Sequence, residues 1–485
     1  MAALPMARIL AFHAARDPAR VALICGERTM TRMELERASN RAARVFIDMG
    51  VEPGDFVTIA LPNTIAFYVA IFGALKAGAT PMPISHRLPA LERNAIIDLA
   101  HPALLVGMEK SPYPNLQLDW EPNPSVDDSP LIGIQTAQSW KAMTSGGSTG
   151  RPKIIVATAA AEYDPLDPPH GMRVDGTQLV PGPLYHQGPF IFSMYGLFTG
   201  ATIVLMQRFD AWEALTLIER HRVDWVFLVP TMVHRIWRLP EAQRSASDLS
   251  SLNVTMSTGA PFPVWLKEAW IDWLGPQRVL EAYGGTEHMG GTMIWGDEAL
   301  QRPGSVGRSP QGYGIRILDD AGRELPPREI GEIYFRAPGG VGSTYRYIGA
   351  EGKVLGEWES LGDLGYFDED RYLYLVDRRT DLILSGGVNV YPAEVEAALD
   401  SHPLVRSSAV IGLPDQDLGQ RVHAIIDIAD QTEPDKAALR AYLAERLAPY
   451  KLPRSLEFVR EPLRDDAGKV RRQALRTARL ADTLE

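Results

Sequence analysis

Thr144-Ser145-Gly146-Gly147-Ser148-Thr149-Gly150-Arg151-Pro152-Lys153 packs three glycines, four hydroxyl residues and two cations into ten positions. Glycines let backbone N–H groups approach a ligand, hydroxyls add short donors, and the cations answer negative charge. The guest that fits such a loop is a polyphosphate. Two other readings compete. Gly146 to Gly150 also fits the G-x-S-x-G elbow of serine hydrolases, with Ser148 as nucleophile, and the stretch also reads as a plain flexible turn. The elbow needs a helix after it, whereas Pro152 and the β-branched run Ile154-Ile155-Val156 predict a strand. A Walker loop is ruled out by spacing, since Lys153 stands behind a proline.

Outward from this stretch, helical and strand-like patterns alternate and predict an α/β fold. Thr31 to Glu34 reads as a capping box, followed by apolar residues at helical spacing from Leu35 to Met49 and a stop at Gly50. Phe56 to Leu61 reads as a strand and Ile65 to Lys76 as a helix. Five prolines between Ser111 and Pro130 mark a connecting loop. Beyond the glycine-rich stretch, Ala201 to Met206 and Val223 to Val229 predict strands flanking a helix from Ala211 to His221. A charge cluster at Asp377 to Asp381 precedes a unit of about a hundred residues. There Pro392 opens a helix, Ser408 to Leu413 and Val422 to Ile428 are strands, and Pro434 starts a helix carrying Leu439, Tyr442, Leu443 and Leu447. The boundary is placed near Arg379: residues 1–378 form a large multi-sheet α/β domain, 379–381 a hinge, and 382–485 a small α+β domain.

Bulk properties narrow the function classes. A chain of 485 residues exceeds the usual size of one core. The net charge of −11 argues against nucleic-acid binding through a basic surface. Cys25 is the only cysteine, which excludes an intrachain disulfide and fits a reducing compartment. No apolar run reaches the length of a membrane span and no signal-peptide pattern opens the chain. The expectation is a cytoplasmic protein without an integral membrane segment.

Four more segments carry chemistry. Tyr283-Gly284-Gly285-Thr286-Glu287 offers an aromatic face, bare backbone, a hydroxyl and a carboxylate suited to Mg2+; its plain reading is a loop after a Val279-Leu280 strand. Gly259-Ala260-Pro261 follows a strand from Leu252 to Met256, and its small residues let a flat ring lie on backbone. Asp363, between glycines, can accept two sugar hydroxyls, although a turn aspartate is the commoner reading. Lys469 follows Gly468 on a tight turn, where a lysine is usually just solvated.

Together these ordered segments resemble the adenylate-forming family of acyl-CoA synthetases, peptide-synthetase adenylation domains and firefly luciferase, over nearly the whole chain. The resemblance implies that Thr144 to Gly150 and Lys153 grip the triphosphate. It places adenine against Gly259, Ala260, Pro261, Tyr283 and Gly284, and Thr286 and Glu287 as the pair whose carboxylate holds Mg2+. Asp363 and Arg378 match the ribose pair, and Tyr185-His186 resembles the aromatic-histidine gate of the acyl pocket. Pro303 to Gly307 matches another signature of the large domain. Ser385, Gly386 and Gly387 resemble the loop that meets the CoA arm, and Lys469 the catalytic lysine.

The implied activity is a ligase that uses ATP, Mg2+ and CoA, adenylates a carboxylic acid and transfers it to CoA. A carrier protein is the alternative acceptor, and assembly into a homodimer is left open. A non-catalytic nucleotide-binding role is disfavoured by Lys469 and Glu287. Three departures stand out: Gly147-Ser148 where two threonines are usual, Val388 for a common glutamate, and Thr380 at the hinge. The pocket is expected between His186, Ile191 to Tyr195, Val229 to Val233 and His288-Met289-Gly290-Gly291. Its paired glycines and few charges predict room for a bulky apolar acid of fatty, aryl or steroid type.

Overall fold

The computed structural model describes residues 3–109, 111–146, 152–428, 435–465 and 468–481. Gly147 to Arg151, with Ser148, Thr149 and Gly150, lie outside the described residues, as does Pro434. The flanks of the glycine-rich tip form a hairpin. Strand Ala142–Gly146 pairs antiparallel with Pro152–Ala157, setting Thr144 opposite Ile154 and Ser145 opposite Lys153. Ile154, Ile155 and Val156 are buried, so the β-branched run folds as its type predicts. A strand follows the glycines where a hydrolase elbow requires a helix, and the Ser148 nucleophile reading fails on that geometry. Strand Tyr345–Ile348 closes the other edge of Pro152–Ala157, making a three-stranded sheet.

An eight-stranded sheet supplies the platform. Its order is Gly291–Trp295, Val279–Gly284, Val254–Ser257, Trp225–Phe227, Thr177–Val180, Thr202–Leu205, Val21–Cys25 and Arg28–Thr31. The six inner strands run parallel and the two edges antiparallel. Inner strands such as Trp225–Phe227 are buried on both faces, which is how parallel sheets read as continuous apolar runs. A four-stranded parallel sheet (Thr80–Pro83, Phe56–Ile59, Leu104–Val106, Asn115–Leu116) lies beside helix Ile65–Lys76, which is buried along nearly its whole length. The capping box forms as expected: Thr31 Oγ1 accepts from the Glu34 N–H while the Glu34 carboxylate accepts from Thr31 N–H, opening helix Arg32–Asp48.

An antiparallel sheet carries Ser305–Gly307, Leu373–Arg378, Trp358–Phe367, Gly331–Arg336 and Gly314–Leu318 in that order. The small unit has its own core of Ile383, Val395, Val410, Ile426, Leu439 and Leu443 between a five-stranded sheet and helices Pro392–Asp400 and Lys436–Ala444. The second of these helices begins at Lys436, two residues after the proline that signalled its start. Asp435 caps it, accepting from Ala437 N–H, and it ends at Ala444, so Leu447 is buried from the segment beyond the helix. Among the described residues no helix is long and apolar enough to cross a membrane.

Candidate active site

Strand Val279–Gly284 runs through Tyr283 and Gly284, so the predicted loop begins only at Gly285. This strand and its antiparallel partner Gly291–Trp295 form a hairpin that presents Tyr283 on one side and Glu287 at the turn. Asp363 likewise belongs to a strand, not a turn: it lies within Trp358–Phe367, opposite Arg378 of Leu373–Arg378. The pairing brings three predicted residues together. Tyr283 Oη donates to Asp363 Oδ2 at 2.8 Å, and Arg378 Nε meets Asp363 Oδ1 at 3.2 Å. Burial, then the Asp363 carboxylate, holds the Tyr283 phenol well above its ordinary pKa, so it stays a donor.

A second group forms around Glu287, which is 5% exposed. Its Oε1 accepts from Tyr347 Oη at 2.6 Å and lies 3.4 Å from Lys153 Nζ. Lys153 also sits 4.0 Å above the Tyr347 ring. The glycine-rich hairpin, the Glu287 turn and strand Tyr345–Ile348 thus meet at one carboxylate. Among the described residues no cluster of three or more metal-ligating side chains exists. A single hard carboxylate fits Mg2+, which ordinarily keeps waters and shares one or two carboxylates with substrate phosphates.

Lys469 arrives from the small unit. Gly468 has φ +75°, Gly468 N–H donates to Asp465 O, and Asp465 N–H donates to Lys469 O, which closes a tight turn. A Cβ on Gly468 would lie 2.6 Å from Thr231 Oγ1, so this glycine is needed both for its backbone angle and for close approach to the large unit. Lys469 itself is exposed. Burial and then Arg378 lower its ammonium from the ordinary lysine value, while Asp465 and Glu287 act in the opposite direction. The small unit is tied down elsewhere by Arg238, which donates to His402 O at 3.3 Å, Pro403 O at 3.4 Å and Val405 O. Arg471 and Glu92 add a 3.6 Å ion pair.

Other predicted residues stand as follows. Thr144 lies in the first strand of the glycine-rich hairpin; Ser145 and Gly146 end it. Gly259 has φ +90° in the bend after Val254–Ser257, leading into Ala260 and Pro261. Thr286 occupies the turn before Glu287. His186 precedes helix Gln187–Phe198 as its N-cap position, its ring 4.5 Å from that of Tyr185. Ser385, Gly386 and Gly387 lie apart. They form the turn of a hairpin whose Gly386 N–H donates to Leu418 O, and among the described residues no hydrogen bond links them to Glu287, Asp363 or Lys469.

Gly290 and Gly291, read from the sequence as leaving room, are closed by packing. A Cβ on Gly290 would strike the Phe335 ring at 2.7 Å, and one on Gly291 would lie 2.4 Å from Tyr283 O. These glycines serve hairpin packing and open no space for an acid. A buried cation stands beside helix Gln187–Phe198. Lys141, 2% exposed, immediately precedes strand Ala142–Gly146 and donates to Gln187 Oε1 at 2.8 Å. Gln187 Nε2 lies 2.7 Å from His288 Nε2. Burial, aided by Lys141 and His170, pushes His288 down to about 3. Around this row, Trp140 stacks on Phe190 and Tyr195, and Tyr195 stacks on Tyr163. Tyr347, Lys141 and Gln187 were not found from the sequence. Tyr347 and Lys141 stand outside any quoted motif, whereas Gln187 directly follows the Tyr185-His186 pair.

The glycine-rich hairpin, the Tyr283–Asp363–Arg378 group, the buried Glu287 and the Lys469 turn are thus set within one fold. The chain belongs to the AMP-binding enzyme family, whose model matches residues 10–346, with the AMP-binding enzyme C-terminal domain matching 394–469. It is 31% identical to a fatty acid–[acyl-carrier-protein] ligase of Streptomyces coeruleorubidus, covering 96% of this chain and 94% of that protein. It is 30% identical to a long-chain-fatty-acid–CoA ligase of Mycobacterium tuberculosis, covering 92% of each. Solved structures of o-succinylbenzoate CoA synthetase from Bacillus subtilis are 27% identical. The complex with an acyl-adenylate superposes with TM-score 0.82, covering 98% of each chain. The complex with ATP and magnesium gives 0.81, covering 98% of this chain and 100% of that one.

Proposed function

We propose that this chain is an ATP-dependent acid–CoA ligase: it converts a carboxylic acid to its acyl-adenylate and then transfers the acyl group to the CoA thiol. The observation that carries this reading is the convergence of Lys153, Glu287 and Lys469 from three separate elements beside the Tyr283–Asp363–Arg378 group.

A carboxylate is a weak nucleophile toward a polyanion, so the site has to lower the repulsion between the two. The hairpin from Thr144 to Lys153 supplies donors for the phosphates, and Lys469 meets charge that develops on the α-phosphate as its bond to pyrophosphate breaks. Glu287 is the residue suited to hold Mg2+, which when bound neutralises phosphate charge. Asp363 accepts the two ribose hydroxyls, kept in place by Tyr283 and Arg378. Gly259, Ala260, Pro261 and Gly284 leave flat backbone for adenine, and His186 borders the acyl entrance.

The second step needs Lys469 removed and CoA admitted. Residues 379–381 fit a hinge. Arg379 is anchored to the large unit through Asp320 at 2.5 Å and Glu332 at 3.2 Å, while Asp381 is held by Arg472 of the small unit at 2.9 Å. Thr380, exposed between them, can absorb the change in φ and ψ. Rotation there would carry the Ser385–Gly387 turn toward the site, where the thiolate attacks the acyl carbon and AMP leaves.

CoA and carrier-protein ligases both stand among the relatives, so the acceptor is the point to test. Purified protein with ATP, Mg2+ and a panel of acids should form acyl-CoA thioester and AMP. A thioester on a phosphopantetheinylated carrier protein with none on CoA would favour the carrier-loading reading.

A further inference from the structure

Among the described residues three lysines are buried to 4% exposure or less, and one of these has no carboxylate partner. Lys76 donates to Glu36 Oε2 and Asn40 Oδ1, both at 2.6 Å, and to Glu36 O at 3.2 Å. Lys267 pairs with Glu281 and donates to Ser305 O at 3.1 Å. Lys141 has one acceptor, the Gln187 amide oxygen, with the Trp140 ring 5.3 Å away and, among the described residues, no carboxylate within ion-pair distance. An ammonium has three donors, so two remain. Burying an unpaired cation is costly, and methionine would fill the same volume without that cost. The first two lysines are satisfied by the fold; among the described residues the third has the Gln187 oxygen alone.

Its surroundings extend the same pattern. The Gln187 oxygen faces Lys141, so its amide NH2 faces His288 Nε2. That assigns the proton of the neutral imidazole to Nδ1. Lys141, Gln187 and His288 thus form a row in which the unused groups are donors, set against Trp140 and Tyr195. A hydrocarbon acid offers nothing to such a row. The reacting carboxylate is a poor match too, because pairing it with a buried ammonium would stabilise it and weaken its attack on phosphorus.

We propose that Lys141, held by Gln187, recognises an oxygen acceptor that the acid carries away from the carboxylate being adenylated, so that the substrate is an oxo acid or a dicarboxylic acid with a ring or aryl skeleton. This deepens the ligase reading and rests on it.

The test compares acids of one skeleton in three forms: with a ring ketone, with a second carboxylate, and with hydrogen or methyl there. Acid-dependent ATP–pyrophosphate exchange is measured for the wild type, Lys141→Met and Lys141→Gln. The wild type should prefer one of the oxygenated acids by tenfold or more in kcat/KM. Lys141→Met should lose that preference while matching or exceeding wild type on the hydrocarbon acid. Lys141→Gln keeps a neutral donor. It should retain the ketone acid but lose the dicarboxylic acid, which distinguishes the two sources of oxygen and carries the test if Lys141→Met does not fold. An equal fall on all three acids, or no change on any, would overturn the proposal, as would a wild-type preference for the hydrocarbon acid. Exchange with no acid at all, wild type included, would count against the ligase reading itself.

Discussion

On the large-domain side, Glu287 is held by Tyr347 and Lys153, and Asp363 by Tyr283 and Arg378. On the small-domain side, Lys469 hangs from one turn closed by Asp465, and the unit that bears it is docked through Arg238 and the Arg471–Glu92 pair. The first half is cross-braced between strands of different sheets; the second is presented by a contact that a modest change in docking would undo. That difference suits a two-step enzyme. Under the proposed mechanism, the groups that would hold nucleotide in both steps are built in, while Lys469, proposed for adenylation alone, sits on the separately docked unit.

The sharpest way to break the contrast is Lys469→Ala. Adenylation should fall by about two to three orders of magnitude, as for loss of one preorganised donor. Thioester formation from supplied acyl-adenylate should be nearly intact. Equal loss in both half-reactions would put Lys469 with the built-in half. Asp363→Asn should instead raise KM for ATP about tenfold, the cost of weakening a charge-assisted hydrogen bond, and should also weaken binding of supplied acyl-adenylate. An effect confined to one step would mark Asp363 as step-specific.

Arg238→Ala probes docking alone. Adenylation should drop by a few-fold as the population with Lys469 in place declines, with thioester formation unchanged or faster. A stability loss visible in thermal unfolding without that split would make Arg238 merely structural.

A smaller effect is expected from pH. Burial lowers Lys141 to about 7, with Glu287 acting the other way. Its depressed value means the ammonium carries charge below about 7 and loses it above. KM for an oxygenated acid should therefore rise between pH 7 and pH 9 in the wild type and stay flat in Lys141→Met. Identical profiles in the two proteins would assign the titration to a group other than Lys141.

How much of this was legible follows from where each residue sits in sequence. The Thr31–Glu34 cap, the helix from Ile65 to Lys76 and the strand after Pro152 were readable because each is set by neighbours a few positions away. Tyr283, Asp363 and Arg378 were readable as motif members, although Asp363 was first read as a turn. Its strand is set by pairing with Arg378 and Gly331–Arg336, which no local pattern reports. Tyr347 and Lys141 were missed for the same reason: their roles arise from contacts 60 and 46 residues away in the chain. Gly290 and Gly291 misled because a glycine pair leaves open whether space is kept for a ligand or for backbone. Here Phe335 and Tyr283 O occupy it.

The most direct measurement follows oxygen. With the acid labelled with 18O in its carboxylate, the protein, ATP, Mg2+ and CoA should yield AMP carrying one labelled oxygen, because the carboxylate oxygen itself attacks the α-phosphate. Unlabelled AMP, or label found in pyrophosphate or inorganic phosphate, would contradict the account.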